Sequence, residues 1–235
     1  MAKTLTNLRT KTRTFLDEVS EADFKDYEVD TAINDAYHKV ITAIVTVYQD
    51  YYSDTYEIDS VANQQEYSLP SDFFKVRRVE VNFQPSDTNS TSLRCFNINI
   101  DVVRRNLSNP NVGNYSITNA NYYLLGDKIG FIPIPTESGT DAIKLWYIKY
   151  ISDLSSASDV INIPYADRYW QIIPKIAAGS LLRKGQQDEK SALTYLSEAN
   201  SEMETMKEEI VERPAEDSKV IADVMGDIND FATII

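Results

Sequence analysis

The sequence predicts an α+β fold: a helical bundle made by N- and C-terminal helices, an inserted antiparallel β-rich middle, and an extended C-terminal arm. Three observations carry this. Apolar residues recur every three or four positions near both ends, the period shortens to two between residues 53 and 150, and an apolar pattern resumes beyond Pro214, where a helix has just stopped. The expected parts are N-terminal helices over 1–52, a β-rich domain over 53–163, C-terminal helices packing on the first ones over 164–212, and an arm over 213–235.

The first helix follows Thr4, a suitable N-cap, with Leu5, Leu8, Phe15, Leu16 and Val19 at mostly helical spacings. Lys3, Arg9, Lys11 and Arg13 make it basic. A polar linker spans Ser20 to Tyr27. A longer second helix is expected to start near Asp30 and to end at Tyr48, Tyr51 and Tyr52. Its apolar positions, from Ile33 to Tyr48, cover too much circumference for one buried face. That width predicts packing on two sides, within the subunit or between subunits, with Tyr37, Ile41, Ile44 and Tyr48 as candidate interface residues.

Strands follow. Tyr56 to Asp59 alternates, Glu66 to Leu69 is stopped by Pro70, and Val76, Val79, Val81 and Phe83 run through a further strand. Leu93 to Ile100 alternates with Cys95 among its apolar positions. Asp101 is placed to cap a short helix to Leu107, and Asn106 to Asn121 reads as loop. Tyr122 to Ile132 predicts a hairpin turning at Gly126-Asp127, because glycine tolerates positive φ. In the strand from Ala142 to Ile151, Ile143, Leu145, Tyr147 and Lys149 share one face, and Lys144, Trp146, Ile148 and Tyr150 share the other.

Helix returns after Pro164, with Trp170, Ile172, Ile173, Ile176, Ala177, Leu181 and Leu182 in the pattern. Pro174 inside it predicts a kink or a staggered start. Gly185 separates this helix from a final one over Asp188 to Val211, where Leu193, Leu196, Ala199, Met203, Met206 and Ile210 form the stripe. The arm mixes acids with Val220, Ile221, Val224, Met225, Ile228, Phe231, Ile234 and Ile235. Two readings of it stand: a solvated end, or a segment that orders by docking on a neighbour or partner. Its apolar content favours docking.

Composition narrows the function. The 235 residues include 43% hydrophobic and 11% aromatic residues, enough for a core, and no apolar run approaches the ~20 residues a membrane helix needs. The start of the chain has no apolar signal-peptide core, and one cysteine permits no internal disulfide. The net charge of −13 argues against a protein that grips nucleic-acid phosphates. Residues 186–235 hold 13 acidic and 4 basic residues, so −9 of that charge lies in the last fifty positions.

Chemistry-bearing motifs are missing. His38 reads as an ordinary polar position on a helix and Cys95 as a small buried residue. Two potential soft ligands cannot make a zinc site. None of the seven glycines precedes Gly113, and the chain carries no phosphate-loop or dinucleotide motif. No catalytic, cofactor-binding or metal-binding residue is therefore expected, and the many carboxylates read as solvated helix and linker positions. The sequons at Asn89, Asn106 and Asn114 read as chance in Asn/Ser-rich loops.

Taken in order, several stretches resemble the head-to-tail adaptor (connector) proteins of tailed, short-tailed bacteriophages. They are TLTNLRTKTRTFLDE (Thr4 to Glu18), INDAYHKVI (Ile33 to Ile41), YSLPSDFFKVRRVEV (Tyr67 to Val81), YYLLGDKIGFIPIP (Tyr122 to Pro135) with IKLWYIKYISDL (Ile143 to Leu154), and LLRKGQQDEKSALTYLSEA (Leu181 to Ala199). The likeness covers about residues 4–205. It implies a non-enzymatic virion protein of the neck, made in the host cytoplasm. Such a protein forms a homo-oligomeric ring, usually of twelve subunits, beneath the portal protein. It supports tail proteins such as nozzle or fibres, while packaged DNA passes without sequence-specific binding. No cofactor and no membrane partner are implied, and the C-terminal arm engages portal or neighbour. Fifteen tyrosines suit a protein with much interface. The competing readings are another tail or particle protein, and a carboxylate-based hydrolase acting on the host surface.

Overall fold

The computed structural model describes residues 3–17, 23–87, 91–99, 120–185 and 188–212. The predicted short helix from Asp101, the Asn-rich loop to residue 119, the three sequons and the eight apolar arm residues from Val220 to Ile235 lie outside them. The fold is mixed α+β.

Helix α1, Leu5–Phe15, starts as expected: Thr4 Oγ1 accepts from Asn7 N, and Asn7 Oδ1 accepts from Thr4 N at 3.0 Å. Residues 157–161 secure this end, since Leu5 N donates to Asp159 O at 2.9 Å and Ile161 N to Lys3 O at 3.0 Å. Helix α2, Asp26–Val47, begins a turn earlier than the apolar pattern suggests. Asp26 and Glu28 in its first turn favour that end of the helix dipole, and Asp26 and Asp30 answer the basic residues of α1. Arg9 binds Asp30 through two bonds of 2.9 and 2.7 Å, and Arg13 reaches Asp26 at 2.8 Å and Phe24 O at 3.1 Å. The charge of α1 is thus largely spent on holding α2.

A 3-10 turn, Gln49–Tyr52, leads into seven strands: β1 (Ser53–Ser60), β2 (Glu66–Ser68), β3 (Phe73–Val81), β4 (Leu93–Asn97), β5 (Asn121–Leu125), β6 (Lys128–Ile132) and β7 (Gly139–Lys149). Their order in the sheet is β1-β7-β3-β4-β5-β6-β2. Pairing is antiparallel, as predicted, except between β4 and β5, where Phe96 faces Asn121 in a parallel pair. A parallel neighbour needs a long connection, and residues 98–120 supply one. The β5–β6 hairpin turns at Gly126, φ +59°, and Gly130 gives room to the ring of Tyr123, which a Cβ there would meet at 2.2 Å.

The inner sheet face closes over its own core of Val79, Val81, Phe83, Cys95, Ile129, Phe131, Ile143, Leu145 and Tyr147. A second core gathers Leu5, Leu8, Val29, Ile33, Tyr37, Ile44, Ile173, Ala177, Ala199, Met206 and Ile210 from both ends of the chain. This helical core is not sealed by helices alone: Tyr52, Ile148 of β7, and Leu154, Ile161 and Ile163 complete it. Ile148 lies on the face of its strand shared with Lys144 and Trp146, as the alternation predicts. It is fully buried because that end of the strand runs under the helical layer.

The C-terminal helices are α3 (Ala166–Tyr169), α4 (Ile172–Gly185) and α5 (Glu189–Glu212). Trp170 and Gln171 separate α3 from α4, which gives the staggered start that Pro174 predicts. Pro174 sits in the first turn of α4, where its missing N–H has no helical partner to lose. Asp188 caps α5, accepting from Ser191 N at 3.0 Å. The stripe of α5 differs from expectation at one position: Ala192 is buried and Leu193 is 53% exposed. The helices approach closely there, since a Cβ on Gly179 would meet Leu196 Cγ at 2.8 Å and Ala192 O at 3.1 Å. Only a small side chain fits the seam.

Candidate functional site

Three of the four candidate interface residues serve inside the subunit. Tyr37 is 1% exposed, Ile41 9% and Ile44 0%, so they have almost no surface to offer a neighbour; Tyr48 is half-buried. The wide apolar stripe of α2 is accounted for by packing against α1, α4, α5 and the segment before α3. Its wet side is polar, with Thr31, Asp35, Lys39, Thr42 and Thr46 exposed.

Polar side chains of α2 and the turn after it organise that segment. Asn34 makes a reciprocal pair with Leu154, donating Nδ2 to its carbonyl at 3.1 Å and accepting its N–H at 2.8 Å. Tyr37 Oη accepts from Asn162 N and Tyr52 Oη donates to Asn162 O, both at 2.9 Å. Burial pushes both phenols up, so they act as neutral hydrogen-bonding groups.

Among the described residues, His38, Cys95 and the carboxylates Glu198 and Glu202 are each engaged or buried. His38 Nε2 lies 2.6 Å from Asp153 Oδ1 and its ring stacks on Tyr150, with centroids 5.9 Å apart. The nearby Thr42 hydroxyl donates to His38 O at 2.8 Å, so the pair has no nucleophile poised on it. Cys95 is buried, and desolvation pushes its thiol up to about 12. Native protein at pH 8 is therefore expected to resist thiol reagents at Cys95, with full labelling in denaturant; rapid native labelling would refute its burial.

The paired carboxylates Glu198 and Glu202 hold Lys175, at 2.9 and 2.7 Å. Burial alone would lower the Lys175 ammonium, but those two hydrogen bonds outweigh it and raise it. This is an ion-pair cluster rather than an acid/base pair. Among the described residues no group of three His, Cys, Asp or Glu is placed to hold a metal ion, and no helix is long and apolar enough to cross a membrane.

What remains is surface. An open groove of about 670 Å³ runs between α2 and α4, lined by Tyr27, Asp35, Lys39 and Lys184 among others. Lys184 is paired there with Glu28 at 3.0 Å. Large apolar side chains stand exposed at Tyr27 on α2, at Leu124 and Leu125 on the β5–β6 hairpin, and at Phe96 on β4. Residues 3–219 match the family model described as SU10 adaptor protein. The chain belongs to the SU10 adaptor protein family. That membership, over nearly the whole chain, makes it a phage adaptor, in agreement with the resemblance drawn from its motifs. Comparison with curated proteins gives no match. The working parts of an adaptor are surfaces, and sequence patterning alone does not separate the buried stripe of α2 from those.

Proposed function

We propose that this SU10-family adaptor is a structural, non-enzymatic virion protein of the neck, forming a ring beneath the portal, linking capsid to tail proteins and letting DNA pass through its channel. The observation that carries the reading is the family match over residues 3–219. Ring closure calls for a heterologous interface between two different surface patches. Of the four interface residues first considered, Tyr48 keeps accessible surface, and the exposed aromatics and leucines widen the choice. Electron microscopy of purified protein and of virions tests the proposal. A twelve-fold ring at the portal vertex is the expected result; a monomer absent from particles would overturn it.

Two predictions follow from the charge distribution. Deleting residues 215–235 should leave the fold intact, by circular dichroism, while weakening ring or portal assembly in a reconstitution assay. Unchanged assembly would remove the docking role of the arm. Acids facing the channel should keep DNA from adhering, so neutralising them should raise DNA retention on purified rings. If retention does not change, the acids serve elsewhere.

A further inference from the structure

The outer face of the sheet carries side chains that the two cores do not use. Strand register sets Thr55, Trp146 and Arg78 side by side across β1, β7 and β3. The next row runs Glu57, Lys144, Glu80, Arg94 across β1, β7, β3 and β4. Phe96, two residues along from Arg94, shares its face and is 57% exposed. The cations lie on the rings: Arg78 and Lys144 each 5.4 Å from the centre of Trp146, and Arg94 5.6 Å from that of Phe96. Cation–π contact fixes a guanidinium while leaving N–H groups for a carboxylate. Glu57 pairs with Lys144 and Glu80 with Arg78, while Arg94 makes no ion pair among the described residues. Exposed Arg78, Arg94 and Phe96 beside a half-buried Trp146 match the composition of an interface centre.

We propose that this face seats residues 213–235 of the same chain. The proposal rests on reading the arm as a docking element, and it seats the arm of the unassembled subunit on its own sheet, before any docking on portal or neighbour. The segment carries Glu216, Asp217, Asp223, Asp227 and Asp230 against Arg213 and Lys219, interleaved with apolar residues such as Val224, Ile228 and Phe231. Carboxylates meet the arginines and apolar side chains meet Trp146 and Phe96. Reach is ample: 23 residues follow α5, and at ~3.3 Å per residue they extend ~75 Å. Tethering adds an effective concentration on the order of millimolar over that of a free segment.

Photocrosslinking of the full chain tests this, with p-benzoylphenylalanine in place of Phe96 and equal amounts of unlabelled and ¹⁵N-labelled protein. Crosslinks are expected within 213–235 and within single copies. Crosslink yield should fall at least fivefold in R78E/R94E and recover when D223K/D227K is added. Circular dichroism confirms that each variant is folded. Crosslinks to other segments, no arm crosslink, mixed-isotope crosslinks, or a yield indifferent to the charge reversals would each overturn the assignment. The measurement needs no ring, so its failure leaves the adaptor reading standing. Absence of the protein from particles would sink the adaptor reading without touching the seat.

Discussion

Tyr37→Ala is expected to destabilise the isolated subunit by about 3–5 kcal/mol, the cost of removing a large buried ring. For a chain of this size that corresponds to a fall in Tm of roughly 10–15 °C. The ring is 1% exposed within the helical core, and its hydroxyl accepts the N–H of Asn162. Tyr37→Phe keeps the ring and strips that partner, which costs about 1–3 kcal/mol for a backbone donor left unpaired. Urea unfolding of the monomer reads both values. The comparison also separates two roles for α2. A core residue lowers monomer stability when truncated, whereas an interface residue leaves it unchanged and weakens association. Loss below 1 kcal/mol with impaired assembly would return Tyr37 to the interface.

That contrast shows where sequence reading stops. Elements whose signal is local were legible: the Thr4 cap, the turn at Gly126, the break at Gly185 and the displaced helix start around Pro174 each depend on a few neighbouring residues. Burial partners were not. Asn34 meets Leu154 across 120 positions and Tyr37 meets Asn162 across 125, and no periodicity encodes such pairings. A wide apolar stripe states that a helix is covered on several sides and is silent on whether its own chain or another supplies the cover. In α2 its own chain does. The parallel β4–β5 pair was hidden for a related reason, since strand direction is set by the connection and not by the strand. Ala192 taking the core position in place of Leu193 depends on how closely α4 approaches, a distance absent from the pattern. The outer sheet face had a visible trace, the alternation of Lys144 and Trp146, but joining it to Arg78, Arg94 and Phe96 required the register. Residue types, by contrast, limit the chemistry directly: a single histidine and a single cysteine leave few arrangements to consider.

Ile148→Ala is expected to cost about 2–5 kcal/mol, as for other fully buried aliphatic truncations, and to weaken both cores together. Ile148 is 0% exposed in the helical core, while Ile143, Leu145 and Tyr147 of the same strand lie in the sheet core. Its backbone is held on both sides, by Ser53 of β1 and Lys75 of β3. A strand fixed by two neighbours and packed into both cores couples their unfolding, so one transition is expected. The two tryptophans report on the two parts: Trp146 on the outer sheet face and Trp170 against the helical core. Trp170→Phe leaves the first as sole reporter and Trp146→Phe the second. The two single-tryptophan proteins should each melt in the same denaturant range by fluorescence as by circular dichroism, and each should shift by the same free energy when Ile148→Ala is added. If Trp146 retained its native signal after the helices had unfolded, the sheet would be an independent unit and β7 would not couple the two cores.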